Sequence, residues 1–134
     1  MLSPDKLLRD CKSASYALDE KNDCTVRAIA ITTGEGYDMA HYAMEEHGRR
    51  KGKGAQLYAM KDACEALGYE MLKLHRDKWE DVAKTATTAT KLQWPGRYII
   101  SFRGHVAAMV DGDIYDWVKG RRHRILDIYH IVKK

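Results

Sequence analysis

The amino-acid sequence predicts an α+β fold, in which helices form the first half and antiparallel strands form most of the second half. Apolar residues recur at helical spacing up to residue 67, whereas after the turn sequence at residues 94–96 they alternate as in strands. Asp111-Gly112 lies between two of these strands and is a typical hairpin turn. No repeat, linker or low-complexity segment divides the 134 residues, so we expect a single domain over residues 1–134.

The helices are predicted from apolar stripes and from the residues at their ends. A weakly amphipathic helical lead-in at residues 4–20 begins after Ser3, and further helices are expected over residues 24–33, 37–47, 56–67 and 79–89. Glycines follow the second, third and fourth of these segments, as is common at helix C-termini. The helix at residues 24–33 is apolar around much of its circumference, which indicates a central position in the fold.

The strands are predicted from short apolar runs bounded by turn residues, with alternation at residues 70–74 and 125–132. They are expected over residues 70–74, 97–102, 105–110, 113–118 and 125–132. If Asp111-Gly112 forms a two-residue loop, Val110 pairs with Asp113, and this pair sets the register of the whole hairpin.

The composition is that of an ordinary globular protein, with 45% hydrophobic and 31% charged residues. The formal net charge of +4 permits contact with nucleic acid or an acidic protein but does not require it. No apolar run has the length of a signal-peptide core or of a membrane span. We therefore expect a cytoplasmic protein with reduced thiols and no membrane contact.

The three cysteines do not indicate a disulfide framework or a zinc site, because their number is odd and their spacings are wide. Neither a Cys-x-x-Cys pair nor a His-x-His or His-Glu-x-x-His motif is present. No metal ion or other cofactor is therefore predicted. Cys64 falls in the apolar stripe of the helix at residues 56–67 and is expected in the core.

Cys24 is the candidate nucleophile, because it begins a helix directly after Asn22 and Asp23. Asparagine and aspartate at a helix start accept hydrogen bonds from backbone N–H groups, and Asp23 is the expected cap. A thiol in the first turn lies at the positive end of the helix dipole, which favours the reactive thiolate. The alternative is that Cys24 is a small buried apolar residue on an ordinary helix.

His105 is the candidate general base, because the predicted hairpin gives it an acidic neighbour. In the expected register His105 pairs with Val118, and Asp116 lies on the same face of the neighbouring strand, diagonal to His105. A carboxylate there would orient the imidazole and leave the other ring nitrogen for a thiol. A shift of one residue in register would turn Asp116 to the opposite face. Among the other histidines, His130 in the last strand is the main competitor.

A thiol hydrolase also requires hydrogen-bond donors for the oxyanion that develops during attack. The backbone N–H of Cys24 is one candidate donor. The side-chain candidate is Asn22, the only asparagine in the chain. Asn22 can equally serve as a helix cap, and both roles stay open at this point.

Three short segments, residues 22–28 (NDCTVRA), 96–100 (GRYII) and 104–108 (GHVAA), together resemble papain-like cysteine hydrolases. In style they are most similar to small cysteine-protease-like proteins of tailed bacteriophages. The resemblance implies a papain-like fold, with N-terminal helices and a nucleophile helix packed on a C-terminal antiparallel β-sheet that carries the histidine. For a phage-encoded protein it also implies a location in the cytoplasm of the host cell.

The same resemblance implies the roles of the site residues. Cys24 matches the nucleophile, His105 the general base and Asp116 the third member of the catalytic triad. Many relatives carry a glutamine shortly before the cysteine as an oxyanion donor, whereas this chain has Leu18 at that position. Asn22 is then the side chain that would take over the oxyanion role.

These features predict a thiol hydrolase, a cysteine peptidase or isopeptidase, that forms an acyl-thioester with a peptide or protein substrate. A transglutaminase-like transferase would use the same triad, and the sequence does not separate it from a hydrolase. The main alternative is an inactive binding protein of the same fold that inhibits a host factor or binds nucleic acid. Its contacts would be the basic segments at residues 49–53 and 119–124, although such segments are more often solvated loops and no aromatic residues interleave with them.

Overall fold

The computed structural model describes residues 2–134, and within them the chain forms five α-helices and five β-strands. The helices are α1 (Pro4–Ala17), α2 (Cys24–Thr33), α3 (Tyr37–Glu46), α4 (Leu57–Ala66) and α5 (Ala86–Ala89). The strands are β1 (Tyr69–Lys73), β2 (Arg97–Phe102), β3 (His105–Val110), β4 (Asp113–Tyr115) and β5 (Asp127–Lys133). The predicted α+β class is confirmed.

The helices of the first half agree closely with the sequence pattern. α2 has the predicted bounds, and Gly34 behind it adopts the left-handed conformation with φ 73°. α2 buries eight of its ten residues, which confirms its central position. α1 begins after Ser3, whose side chain caps the first turn, and it ends three residues earlier than predicted. Within residues 2–134, no helix is both long and apolar enough to cross a membrane.

The five strands form one antiparallel sheet in the order β1-β5-β2-β3-β4. β2 and β3 have the predicted bounds, and Phe102 pairs with His105 across the turn that joins them. The predicted pair of Val110 with Asp113 is also present. Between them, Asp111 and Gly112 both have positive φ, 50° and 85°, which is the type I′ geometry that suits the twist of a hairpin.

The sheet is covered on both faces, so two cores form. Helices α1–α4 supply the first core, in which Val106 and Ala108 of β3 pack with residues of α2. The second core lies on the other face and buries Ala107 and Met109 of β3 against the segments that connect β1 to β2 and β4 to β5. Burial of both faces explains why β3 is an uninterrupted apolar run rather than an alternating one.

The helix predicted over residues 79–89 is wrong. Only α5 is helical there, whereas Trp79 and Ala83 lie in an irregular segment and are buried in the second core. Their helical spacing therefore results from packing against the sheet. In the threonine-rich part, Oγ1 of Thr88 accepts a hydrogen bond from the N–H of Thr85, whose extended backbone caps the start of α5 and so interrupts a helix from residue 79.

The last two strands differ from their predicted bounds. β4 ends at Tyr115 rather than at residue 118, because the chain turns there and the Asp116 carbonyl accepts a hydrogen bond from the Lys119 N–H at 3.2 Å. His105 therefore has no ladder partner at Val118, although the hairpin keeps the expected register. β5 begins at Asp127, two residues later than predicted.

Candidate active site

Cys24 is the first residue of α2 and stays partly accessible. Asp23 occupies the N-cap position, but the expected cap is wrong, because its side chain makes no capping hydrogen bond. Its buried carboxylate instead accepts a hydrogen bond from the Tyr37 hydroxyl at 2.7 Å and lies 3.2 Å from Nε of Arg27. Burial raises the pKa of Asp23, but these partners outweigh burial and hold the pKa below its ordinary value.

The start of α2 consequently keeps backbone donors free. Within residues 2–134, the N–H of Cys24 makes no hydrogen bond to another backbone or side-chain group. The N–H groups of a first helical turn carry the positive end of the helix dipole. Such donors, adjacent to a thiol, can stabilise negative charge on a carbonyl oxygen that the thiol attacks.

His105 and Asp116 form a short contact, with 2.7 Å between Nε2 and Oδ2. Both side chains are nearly buried, at 11% and 8% exposure. The same Oδ2 atom accepts a hydrogen bond from the backbone N–H of Val118 at 2.9 Å, which fixes the carboxylate. The two residues therefore come together as the hairpin register predicts, even though β4 ends one residue before Asp116.

Cys24 lies beside the His105 ring, since both residues line the same two grooves and Cys24 contributes to the raised pKa of the ring. Because Asp116 occupies Nε2, the ring nitrogen left for the sulfur is Nδ1. Burial lowers the pKa of His105, but the hydrogen bonds and charges of Asp116 and Cys24 outweigh burial and raise it from 6.5 to about 9. The imidazole is therefore protonated at neutral pH.

Aromatic rings surround the imidazole. The ring centroid of Trp117 lies 4.6 Å from that of His105, and the ring of Phe102 lies 6.3 Å away, close to parallel. His123 meets the Trp117 ring edge-on at 5.4 Å. Sequence analysis missed Trp117, because its contact with His105 depends on the turn that ends β4. Apolar rings limit the access of water to the ion pair and so strengthen it.

Two grooves meet at Cys24 and His105 and share the backbone of Gly54 and Gly104. The α4 groove has a volume of about 640 Å³, and its other lining side chains include Gln56, Leu57, Tyr58 and Phe102. The Arg103 groove has a volume of about 590 Å³, and its other lining side chains include Asn22, Arg27, Arg103, Asp116, Trp117 and His123. A thiol at the junction of two grooves is well placed to attack a bond with substrate on both sides.

Asn22 lines the Arg103 groove, and its side chain is bonded to the loop that contains Gly52. Its backbone is left-handed, with φ 52°, a conformation that asparagine adopts more readily than most residues. Its Nδ2 donates a hydrogen bond to the carbonyl of Gly52 at 3.0 Å. This bond uses one of the two amide hydrogens, so the side chain retains a second donor.

A buried ion cluster fixes the loop that contains Gly52. The fully buried Glu20 carboxylate accepts hydrogen bonds from the Arg49 guanidinium at 2.9 and 3.1 Å and from the Gly52 N–H at 2.7 Å, and Nε2 of His41 lies 2.6 Å away. Burial raises the pKa of Glu20, but these partners outweigh burial and hold it well below its ordinary range. Arg49, placed by its sequence in a solvated basic segment, is in fact buried.

The remaining cysteines and the competing histidine lie away from the grooves. Cys64 is buried in the first core, as predicted, and Cys11 is buried there too. Burial raises the pKa of both thiols to about 12, so neither forms a thiolate at neutral pH. His130 stacks on Tyr98 at 4.6 Å and lines neither groove.

Gln56 is a further polar residue of the site, and it is far from Cys24 along the chain. The structure brings it into the α4 groove that Cys24 also lines. Only the packing of α4 beside α2 creates this proximity, so no local signal in the sequence indicates it. Among residues 2–134, no group of three or more histidine, cysteine or acidic side chains is arranged to hold a metal ion.

Comparisons with known proteins give no relative for this chain. No protein-family model, curated protein or solved structure matches it.

Proposed function

We propose that the protein is a papain-like thiol hydrolase, a cysteine peptidase or isopeptidase that acts on a peptide or protein. The observation that carries this proposal is the placement of His105 between Asp116, 2.7 Å from its Nε2, and Cys24, which lines the same two grooves. Nucleophilic acyl transfer requires a base that lies between a nucleophile and a group that orients the base.

In the first half-reaction, the Cys24 thiolate attacks the carbonyl carbon and forms a carbon–sulfur bond, and the π electrons move to the oxygen. The imidazolium of His105 then gives its proton to the leaving amine as the carbon–nitrogen bond breaks. The product is an acyl-thioester on Cys24 and a neutral imidazole. Asp116 holds the ring in the required orientation throughout and stabilises its charged form.

In the second half-reaction, neutral His105 removes a proton from water, and the oxygen of that water attacks the thioester carbonyl. The tetrahedral species collapses with departure of the Cys24 thiolate, which releases the acid product and restores the thiolate–imidazolium pair. The free N–H of Cys24 and the unused amide hydrogen of Asn22 are the proposed donors to the oxyanion in both steps.

The proposal is tested with a small neutral acylating probe, an activated peptide ester, followed by mass spectrometry of the labelled cysteine. Wild-type protein should form a Cys24 thioester that then hydrolyses, whereas Cys24→Ala and His105→Ala should form none. Cys64→Ala, which alters a buried cysteine outside the grooves, should label like wild type.

Equal labelling of wild type and Cys24→Ala would contradict the assignment and would favour the inactive binding protein. Addition of a primary amine distinguishes a hydrolase from a transferase. A hydrolase releases mainly the free acid, whereas a transferase releases mainly the amide of the added amine.

A further inference from the structure

We propose that the Arg103 groove binds a carboxylate of the substrate close to the bond that Cys24 attacks, so that the protein is selective for acidic peptides. The inference rests on the proposed function and adds the chemical class of its substrate. It depends on the balance of charge in this groove, which differs from that of the α4 groove.

Arg103 carries the cation that remains unpaired. It lies in the turn between β2 and β3, two residues before His105, and its side chain is exposed. Within residues 2–134, no hydrogen bond or ion pair involves its guanidinium. An arginine without a partner at the edge of a groove presents its full set of donors to whatever enters.

The acidic residues of the same groove are already neutralised. Asp116 contacts the protonated ring of His105 at 2.7 Å, and Asp23 lies against Arg27 at 3.2 Å and accepts the Tyr37 hydroxyl. Neither carboxylate is available to pair with Arg103. Arg103 is therefore an unpaired positive charge that a substrate meets at the edge of this groove.

Arg27, on the helix that carries Cys24, supplies a second guanidinium to this groove. It lies on α2 three residues after Cys24, and its side chain lines the groove at 27% exposure. Its Nε lies 3.2 Å from Oδ1 of Asp23 without a hydrogen bond, and within residues 2–134 its two terminal nitrogens make none either. Arginine binds carboxylates in a planar, two-pronged geometry, so one or both residues can hold a substrate carboxylate.

Within residues 2–134, the α4 groove lacks an unpaired arginine. Its arginine, Arg49, is buried and paired with Glu20, and its Asp127 lies 3.6 to 3.7 Å from Lys73 and Arg76. Tyr58 and Leu57 give it a largely uncharged surface. The preference for a carboxylate should therefore apply on one side of the scissile bond only.

A carboxylate fits this groove better than a nucleic acid does. A phosphate backbone requires several unpaired cations along a track, and its affinity comes from neutralising many charges. The Arg103 groove instead combines one unpaired arginine with two carboxylates of its own. The substrate carboxylate can be an aspartate or glutamate side chain or the C-terminus of a peptide, and the experiment separates these sources.

The test uses pairs of activated peptide esters and thioesters that acylate Cys24, so that no natural substrate is needed. One pair places glutamate or glutamine in the acyl part, and a second pair places them in the leaving group. A third pair compares a free carboxyl with a carboxamide at the end of the leaving group. Wild-type protein should acylate faster with the carboxylate in one of these pairs, by about 10- to 100-fold.

Arg103→Gln should abolish this preference, and Arg103→Glu should reverse it in favour of a lysine-containing ester. Arg9→Gln is the matched control, because it removes one exposed positive charge from α1, away from both grooves. It should retain the wild-type preference, which separates a local contact from the effect of net charge.

Equal rates for carboxylate and amide in all three pairs would overturn the inference, and so would an unchanged preference in Arg103→Gln. Inhibition of acylation by an oligonucleotide, lost in Arg103→Gln and without any preference for carboxylate esters, would also overturn it. In each case continued labelling of Cys24 by the neutral ester leaves the proposed hydrolase intact. Loss of that labelling in wild type would instead contradict the hydrolase itself.

Discussion

The Nε2 atom of His105 lies 2.7 Å from Oδ2 of Asp116, and the same oxygen accepts the backbone N–H of Val118 at 2.9 Å. The carboxylate is thus oriented by the turn after β4 and by the imidazole together. Because this contact occupies one ring nitrogen, the other is held for Cys24. The contact between Asp116 and His105 therefore orients the ring for the proton transfers of the proposed reaction.

Replacing Asp116 by asparagine should weaken the site by removing the charge that holds the imidazolium. The side chain keeps an oxygen that can accept from Val118, so the turn should persist. We expect the pKa of His105 to fall from about 9 towards 6.5, as measured by NMR titration of the ring. Acylation of Cys24 at neutral pH should slow by about 100- to 10,000-fold.

Asp113→Asn is the control for this variant, because it removes an exposed carboxylate that pairs with Lys119 outside the grooves. It should leave both the His105 titration and the acylation rate unchanged. A His105 pKa that stays near 9 in Asp116→Asn would show that Asp116 does not hold the ring charge.

The raised pKa of His105 also predicts a pH dependence of stability. Its pKa in the folded protein, about 9, is above the ordinary value of 6.5. The ion pair therefore contributes fully below about pH 6.5, and its contribution is lost as the pH rises through about 9. The shift corresponds to about 3 kcal/mol at most.

The measurement is the free energy of unfolding in urea between about pH 6 and pH 10 for wild type and Asp116→Asn. Other groups that titrate in this range contribute equally to both proteins and cancel in the difference. The wild-type advantage should shrink towards high pH. A constant difference across the range would contradict the assignment of the pKa to this pair.

The sequence predicts the hairpin around the site because its signals are local. The bounds of β2 and β3 and the type I′ turn follow from short apolar runs that end at turn residues and from Asp111-Gly112, and the register that they set brings Asp116 to His105. The register holds although β4 is shorter than expected, because a single pair next to the turn determines all the others.

The features that sequence analysis missed depend on partners far apart in the chain. Aspartate commonly caps helices, but the carboxylate of Asp23 contacts Tyr37 and Arg27 instead. The burial of Arg49 depends on Glu20, 29 residues earlier, and its sequence neighbours indicate only a basic loop. Contacts of this kind follow from packing of the helices and leave no periodic pattern.

Asn22 should act on the reaction rate rather than on substrate affinity if it donates to the oxyanion. Asn22→Gly removes the amide and retains the left-handed backbone, which glycine adopts without strain. We expect acylation by a saturating activated ester to slow by about 100-fold, since loss of one oxyanion donor has an effect of this size.

Asp19→Gly is the matched control, because Asp19 has the same φ of 52° and lines neither groove. It should leave the acylation rate unchanged. If Asn22→Gly changes only the ester concentration needed for saturation, Asn22 does not donate to the oxyanion. Its role is then limited to the contact with Gly52.

Glu20→Gln should destabilise the protein strongly, because it leaves the Arg49 guanidinium buried without its counter-charge. Arg49 is 2% exposed and the Glu20 side chain is fully buried, so water cannot replace the lost partner. We expect a loss of about 3–5 kcal/mol in the free energy of unfolding, measured in urea at neutral pH.

Asp10→Asn is the control, because it breaks only the exposed pair of Asp10 with Lys6, and it should cost no more than about 0.5 kcal/mol. Glutamine also replaces one carboxylate oxygen by an NH2 donor, which would face either the Arg49 guanidinium or the Gly52 N–H, so backbone amides around Gly52 should exchange hydrogen faster. Equal small losses in the two variants, with unchanged exchange, would show that the buried cluster does not hold this loop against the site.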